Sequence, residues 1–154
     1  MDGLAARGAC GLSIPVATAV TPGSGPGHLG LFGYDPLIYQ VGRGVLSALG
    51  LEFDLKDTDV AARLNFCTVD KKGNITDRRA GRISDEVNRR VLDKVRGKLK
   101  APKGVEVFFE TEAEHRALLV LRGENLDDAV GETDPQVTGV PPMKADRDGY
   151  ASGR

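Results

Sequence analysis

Histidine, cysteine and aromatic residues are scarce. The 154 residues include two histidines, two cysteines and no tryptophan, and only 5% are aromatic. Two of each leave no room for a four-ligand zinc site built on CxxC or HxxH spacing, nor for a histidine-rich metal centre. Charge of one sign is also missing: 21 Lys and Arg stand against 22 Asp and Glu, a net charge of −1. A generic nucleic-acid binder usually presents a net basic surface, so none is expected. No apolar run approaches the ~18 residues of a membrane span. Met1-Asp2-Gly3-Leu4-Ala5-Ala6-Arg7 has no basic stretch followed by an apolar core, so a secretory signal is not expected. Cys10 and Cys67 sit far apart in apolar settings, which predicts reduced core thiols of a cytoplasmic protein.

What is present falls into three stretches. Residues 1–35 are rich in Gly and Pro, 36–125 show periodic patterns, and 126–154 are turn-rich, with fraying expected from Lys144. In the middle stretch, Leu37, Val41, Val45 and Leu49 recur at near-helical spacing before Gly50, predicting a helix over 36–49 that Gly42 and Gly44 weaken. Residues 60–69 alternate, with Ala62, Leu64, Phe66 and Thr68 on one face and Arg63, Asn65 and Cys67 on the other. A turn at 70–74 then predicts a hairpin return over 75–79. Ser84 is a suitable N-cap, followed by Asp85 and Glu86 where the helix dipole favours anions. Val87, Val91, Leu92, Val95 and Leu99 form the apolar stripe of that helix, and Lys98 and Lys100 close it. Residues 105–110 and 116–122 read as two further strands separated by Thr111-Glu112-Ala113-Glu114. Helix, strand, strand, helix, strand, strand describes an α+β unit large enough for a small core.

Two features could carry chemistry. Ser24, flanked by glycines ahead of a segment able to start a helix, suits a phosphoryl-accepting hydroxyl, because small neighbours admit a ligand and a helix N-terminus favours phosphate. A plain Gly/Pro loop accounts for the same composition. No carboxylate is near Ser24 in sequence, whereas His28 could lie one turn away. The second feature is arginine. Asp77-Arg78-Arg79-Ala80-Gly81-Arg82 precedes a helix N-cap, Arg63 and Asn65 share a strand face, and His115-Arg116 opens a strand. Guanidinium forks suit phosphate and carboxylate. The helical Arg89, Arg90, Lys94, Arg96 and Lys98 read instead as a solvated face. Tyr34 and Tyr39 read as packing residues. Asp2-Gly3 imitates a metal-holding Asp-Gly but follows no strand.

The run from Pro22 to Pro36 resembles the nucleophile segment of the archaeal-type cofactor-independent phosphoglycerate mutases, of the alkaline phosphatase superfamily. The resemblance continues through Gly42-Arg43-Gly44, Asn65 to Asp70, Asp77 to Ile83, His115-Arg116 with Val120 to Gly123, and Thr133-Asp134-Pro135, over roughly residues 1–144. It implies an α/β fold for the complete family. This chain would be mainly the inserted α+β cap domain plus the nucleophile segment of the α/β core: partial core over 1–35, substrate-binding cap over 36–130, and return to the core with a frayed tail over 131–154.

The resemblance also implies interconversion of 3-phosphoglycerate and 2-phosphoglycerate, a step of glycolysis and gluconeogenesis, through a phosphoserine on Ser24. Ser24 would also be a ligand of one of two divalent ions, Mn²⁺ or Mg²⁺. His28, Arg63, Asn65, Arg79, Arg82, His115 and Arg116 would hold substrate, with the choice among Arg78, Arg79 and Arg82 left open. A phosphoglycerate substrate, no nucleic acid, no membrane and a cytoplasmic setting complete the expectation. A complete member has a first strand ending in a metal-binding Asp and a later half rich in Asp and His ligands. The motifs of this chain cover neither, which predicts an internal fragment without activity of its own and apolar surface exposed around Leu12, Ile14, Val16 and Leu31. Two other functions fit the same residues: another phosphatase or phosphonate enzyme of the superfamily, and a noncatalytic phospholigand-binding module.

Overall fold

A computed structural model describes residues 2–20 and 22–145. The chain divides into two compact units, Met1–Gly42 and Arg43–Arg154.

The first unit holds two short helices, α1 (Asp2–Ala5) and α2 (Ser24–Leu31). Gly23 caps α2 without a side-chain hydrogen bond. Pro26 lies in the first turn, where its missing N–H costs nothing. The helix ends because Gly33 adopts φ +83° and the N–H groups of Gly33 and Tyr34 donate to the carbonyls of Gly30 and Leu29, a Schellman closure open to few residues but glycine. Beyond it the Asp35 carboxylate accepts the Leu37 N–H at 2.9 Å, and the Ile38 and Tyr39 N–H groups donate to the Asp35 carbonyl. That turn is why the helix expected over 36–49 begins only at Arg43. Tyr34 and Tyr39 meet edge to face with ring centroids 5.7 Å apart. No described residue of this unit joins the buried apolar core. Leu12, Ile14 and Leu31 are exposed as expected, whereas Val16 is half-buried.

The second unit is the expected α+β unit. Its order is α3 (Arg43–Gly50), β1 (Asp59–Asn65), β2 (Thr68–Val69), β3 (Ile75–Asp77), α4 (Asp85–Arg96), β4 (Glu106–Ala113) and β5 (Arg116–Arg122). β5 is the central strand of an antiparallel sheet ordered β1-β5-β4, while β2 and β3 form a separate small hairpin. Each sheet face buries its own core. Ala48 of α3 packs on Leu118 and Val120, and Leu92 of α4 packs on Phe109 and Ala117 with Leu64 and Phe66 beside them. The alternation in β1 has this cause, since its even and odd positions face different helices. Gly44 brings α3 against β1 so closely that any Cβ there would collide with the Ala61 carbonyl.

Several boundaries differ from the sequence reading. The strand expected over 60–69 splits after Asn65: β1 pairs with β5, and only Thr68–Val69 pairs with β3. The return strand stops at Asp77 because that carboxylate accepts the N–H groups of Arg79 and Gly81 and turns the chain. α4 is capped by Ser84, whose hydroxyl accepts the Val87 N–H at 3.4 Å, but it closes at Arg96 rather than at Lys98 and Lys100. Thr111, Glu112 and Ala113 are strand, not linker, because Thr111 and Ala113 pair with Ala117 and Arg116 across a bulge. Cys10 and Cys67 are free as expected, yet exposed rather than core thiols, since Cys10 lies in irregular chain and Cys67 in the link between β1 and β2. The segment after β5 has no helix or strand among its described residues, but it docks on β3: Ile75 N–H donates to Val140, and Gly139 N–H donates to Ile75. Fraying was expected from Lys144; all but the first two residues of that stretch lie outside the described residues.

At the far end of the sheet, Arg122 donates to both oxygens of its cross-strand partner Asp59 at 2.8 and 2.7 Å and lies 5.0 Å from the centroid of the Phe108 ring. The Asp59 side chain is wholly buried, and hydrogen bonding to Arg122 holds its carboxyl below the ordinary carboxylate value despite the opposing effect of burial. A depressed folded-state pKa stabilises the fold above the unfolded value of about 3.9 and ceases to do so as pH falls through the folded value. Asp59→Asn is expected to cost about 3 kcal/mol in urea unfolding at pH 7 and to flatten the loss of stability below about pH 5. Equal acid sensitivity in both proteins would contradict this role.

Candidate functional site

The expected site residues fall into two groups, one in each unit. In the first, Ser24 is the first residue of α2 and is exposed, and its Oγ makes no hydrogen bond among the described residues. His28 lies one turn on, as expected, but its Nδ1 is 2.6 Å from the Ser24 carbonyl oxygen. A carbonyl only accepts, so this bond fixes the proton on Nδ1. His28 is therefore tied to the backbone beneath the serine, not to its hydroxyl.

The second group surrounds the β4–β5 corner. Arg63 and Asn65 project from the β1 face that meets α3, and Arg116 stands opposite Asn65 in the register. Arg63 is half-buried, and burial, then the cations of Arg43 and Arg116, lower its pKa from the ordinary value. It makes no ion pair among the described residues, although Glu112 and Glu132 act on it from further off. Ser47 of α3 holds Glu112 through a 2.9 Å hydrogen bond. Exposed Asn65 ends β1 beside the corner.

His115 occupies the turn itself rather than opening β5. Its side chain is 5% exposed, and its buried Nδ1 has no hydrogen-bond partner among the described residues. The nearest carboxylate oxygen, Glu114 Oε2, is 3.6 Å away. Burial pushes the imidazole below its ordinary pKa of 6.5, and the charges of Arg116, Arg82 and Arg79 push the same way against Glu114. The corner is therefore a cationic neighbourhood around one orphaned ring nitrogen. An anionic oxygen is the partner that would satisfy both.

The structure separates the three arginines before α4. Arg78 donates to both oxygens of Asp134 at 2.9 and 2.7 Å, and so ties the segment after β5 to the end of β3. Arg82 pairs with Glu114 at 2.9 Å in an exposed ion pair. Arg79 is exposed, and its guanidinium makes no hydrogen bond or ion pair among the described residues. Ala80 and Arg82 adopt φ 47° and 53° with Gly81 at 65°, a left-handed run held by the Asp77 carboxylate. The backbone, not the side chains, thus sets where Arg79 and Arg82 emerge.

Sequence reasoning missed what holds the corner. Asn88 is fully buried in α4, and its Nδ2 donates to the carbonyls of Glu114 and Arg116 at 2.6 and 2.7 Å. Its Oδ1 accepts the Thr111 hydroxyl at 3.3 Å, and Asp85 Oδ1 accepts the Glu114 N–H at 2.7 Å. The available signal was a polar residue four and seven positions before the core residues Leu92 and Val95.

Among the described residues, no three or more His, Cys, Asp or Glu side chains gather into a set able to hold a metal ion. The described residues do not by themselves fit a two-cation centre. No helix among the described residues is long and apolar enough to cross a membrane.

Residues 5–152 match the family described as 2,3-bisphosphoglycerate-independent phosphoglycerate mutase. A probable 2,3-bisphosphoglycerate-independent phosphoglycerate mutase of Thermus thermophilus is 57% identical over 145 residues, which cover 94% of this chain and 36% of that protein. Its counterpart in Aquifex aeolicus is 49% identical over 151 residues, covering 94% and 37%. The solved cofactor-independent phosphoglycerate mutase of Thermoplasma acidophilum superposes with a TM-score of 0.61 at 40% identity, over 78% of this chain and 32% of that one. The chain thus spans little more than a third of the length of these curated relatives.

His115 should titrate below 6.5 when followed by its ring-proton NMR shifts. A lowered folded-state pKa withdraws stability as pH falls below the unfolded value of about 6.5. Sulfate, by giving the protonated Nδ1 an acceptor, should move the midpoint upward. A midpoint above 6.5, or one indifferent to sulfate, would contradict the anion-receptive corner.

Proposed function

The chain belongs to the 2,3-bisphosphoglycerate-independent phosphoglycerate mutase family, and from that premise we propose that it serves the interconversion of 3-phosphoglycerate and 2-phosphoglycerate, a glycolytic step in the cytoplasm. Ser24 is the phosphoryl acceptor, and the corner of the second unit holds the substrate's anionic groups. The observation that carries this reading is the buried, unpartnered His115 Nδ1 under the charges of Arg79, Arg82 and Arg116.

The chemistry follows from the groups. In the first half, a Ser24 Oγ–phosphorus bond forms, the bond from phosphorus to the substrate oxygen breaks, and the serine proton ends on the freed glycerate hydroxyl. In the second half, the other glycerate hydroxyl forms a bond to phosphorus, the Ser24 Oγ–phosphorus bond breaks, and the hydroxyl proton returns to Ser24 Oγ. A serine hydroxyl is a weak nucleophile at neutral pH and needs activation. The resemblance assigns that task to two divalent cations, Mn²⁺ or Mg²⁺, for which the described residues gather no donor set. The chain's own contribution is therefore the acceptor, the anion-binding cations and the groups that orient them. Arg79, Arg82 and Arg116 would hold glycerate between the two halves, so that it turns over without escaping to solvent. Arg63 and Asn65 extend the same surface along β1, and His28 orients the serine segment through the Ser24 carbonyl.

The same cationic corner also suits a second reading, a unit that binds phospholigands without turnover. Calorimetry with 3-phosphoglycerate on the whole chain tests the shared part. Arg79→Ala and Arg82→Ala should each weaken binding about tenfold, the loss of a charge-assisted hydrogen bond. Ser24→Ala and a chelator should leave it unchanged. No binding, or binding indifferent to both arginines, would overturn the proposal. An assay coupled to removal of 2-phosphoglycerate should show no Ser24-dependent turnover by this chain with Mn²⁺; turnover lost in Ser24→Ala would show that its own residues assemble a catalytic centre.

A further inference from the structure

The β4–β5 corner is short and strained, and its own turn does little to fix it. Glu114 is a non-glycine residue at φ 50°, a conformation that persists where surroundings impose it. Those surroundings are one end of α4. Asn88 spends both amide hydrogens on Glu114 and Arg116, the carbonyls on either side of His115. Asp85 takes the Glu114 N–H. Thr111, on the opposite strand, closes the network onto Asn88 Oδ1. A buried amide with both hydrogens and its oxygen engaged is costly unless every bond is made, so the corner has one position relative to the helix. The loop before α4 reaches the same corner, since Arg82 pairs with Glu114. His115 and Arg116 are therefore registered to α4 by Asn88 and Asp85, whose bonds go to the backbone of the corner.

We propose that Asn88 and Asp85 are positioning residues for the anion-binding corner, acting through His115 and Arg116. This rests on the reading of that corner as the phosphoglycerate site. The proposal differs from a plain stability role, because it requires the hydrogen-bonding capacity of each residue to be felt at His115.

The test uses the full chain with four variants. Asn88→Leu removes both donors while keeping bulk. Asp85→Ala removes the acceptor at an exposed position, so it decides the matter even where Asn88→Leu fails to fold. Asp85→Asn removes the charge but keeps an acceptor, and Arg79→Ala is the control for the corner itself. Two readouts are taken on folded protein: 3-phosphoglycerate affinity by calorimetry, and the His115 ring-proton titration by NMR. Asp85→Ala and Asn88→Leu should weaken 3-phosphoglycerate at least fivefold and displace the His115 midpoint, while Asp85→Asn keeps affinity within about twofold of the parent. Equal behaviour of Asp85→Ala and Asp85→Asn, or a folded Asn88→Leu with parental affinity and His115 midpoint, would overturn the proposal. If the parent chain and Arg79→Ala both fail to bind 3-phosphoglycerate, the phosphoglycerate reading falls, and the His115 midpoint judges the positioning role without it.

Discussion

The two amide hydrogens of Asn88 hold the carbonyls of Glu114 and Arg116, and the layout of the second unit follows from that attachment. The central strand β5 begins where the bond is made, so the helix fixes the strand's starting point. From there the register carries Arg116 opposite Asn65 and Arg63 opposite Leu118. Helix α4 is capped at its start by Ser84 and seated by Leu92 on Phe109 and Ala117. One buried polar residue thus ties a helix, two strands and a turn together, in the place where an apolar residue would seat the helix and leave the corner unspecified.

Charge is then divided between two duties. Arg122 and Arg78 are spent on bidentate pairs with Asp59 and Asp134, one stapling the far end of the sheet and the other holding the segment after β5. Arg96 bonds its helical neighbour Asp93 and the Phe109 carbonyl. Arg63, Arg79 and Arg116 make no such pair among the described residues, and they lie where β1, the loop before α4 and the β4–β5 corner converge. Burial and the cations of Arg116, Arg82 and Arg79 oppose protonation of His115, against Glu114. On the proposed reading, an arriving phosphate or carboxylate offsets that opposition by supplying the acceptor and the negative charge.

Much of this was legible in sequence. The 3.6-residue stripe and Ser84 cap announced α4, and the alternation around Arg63 announced β1, because both patterns arise locally from which face is buried. The arginine loop was legible as unusual, but three adjacent guanidinium groups look alike until Asp134, more than fifty residues away, claims Arg78. Strand pairing was legible only in part: the expected hairpin forms between Thr68–Val69 and Ile75–Asp77, whereas β1 pairs with the central strand, which lies beyond a helix. Asn88 was invisible as a functional residue, since its partners are backbone groups whose position only the fold defines. The glycine neighbours marked Ser24 as a hydroxyl able to accept a phosphoryl group, but a plain loop accounts for the same composition, and its phosphoserine role is what the resemblance to the mutases implies.

The role proposed for the β4–β5 corner is to hold a phosphorylated carboxylate. Amide NMR of the whole chain titrated with 3-phosphoglycerate tests it most directly. The largest shifts are expected at Arg79, Arg82, His115 and Arg116, with Arg63 following. Shifts confined to the solvated basic face of α4, at Arg89, Arg90 and Lys94, would mean that the ligand merely samples positive charge and would overturn that role.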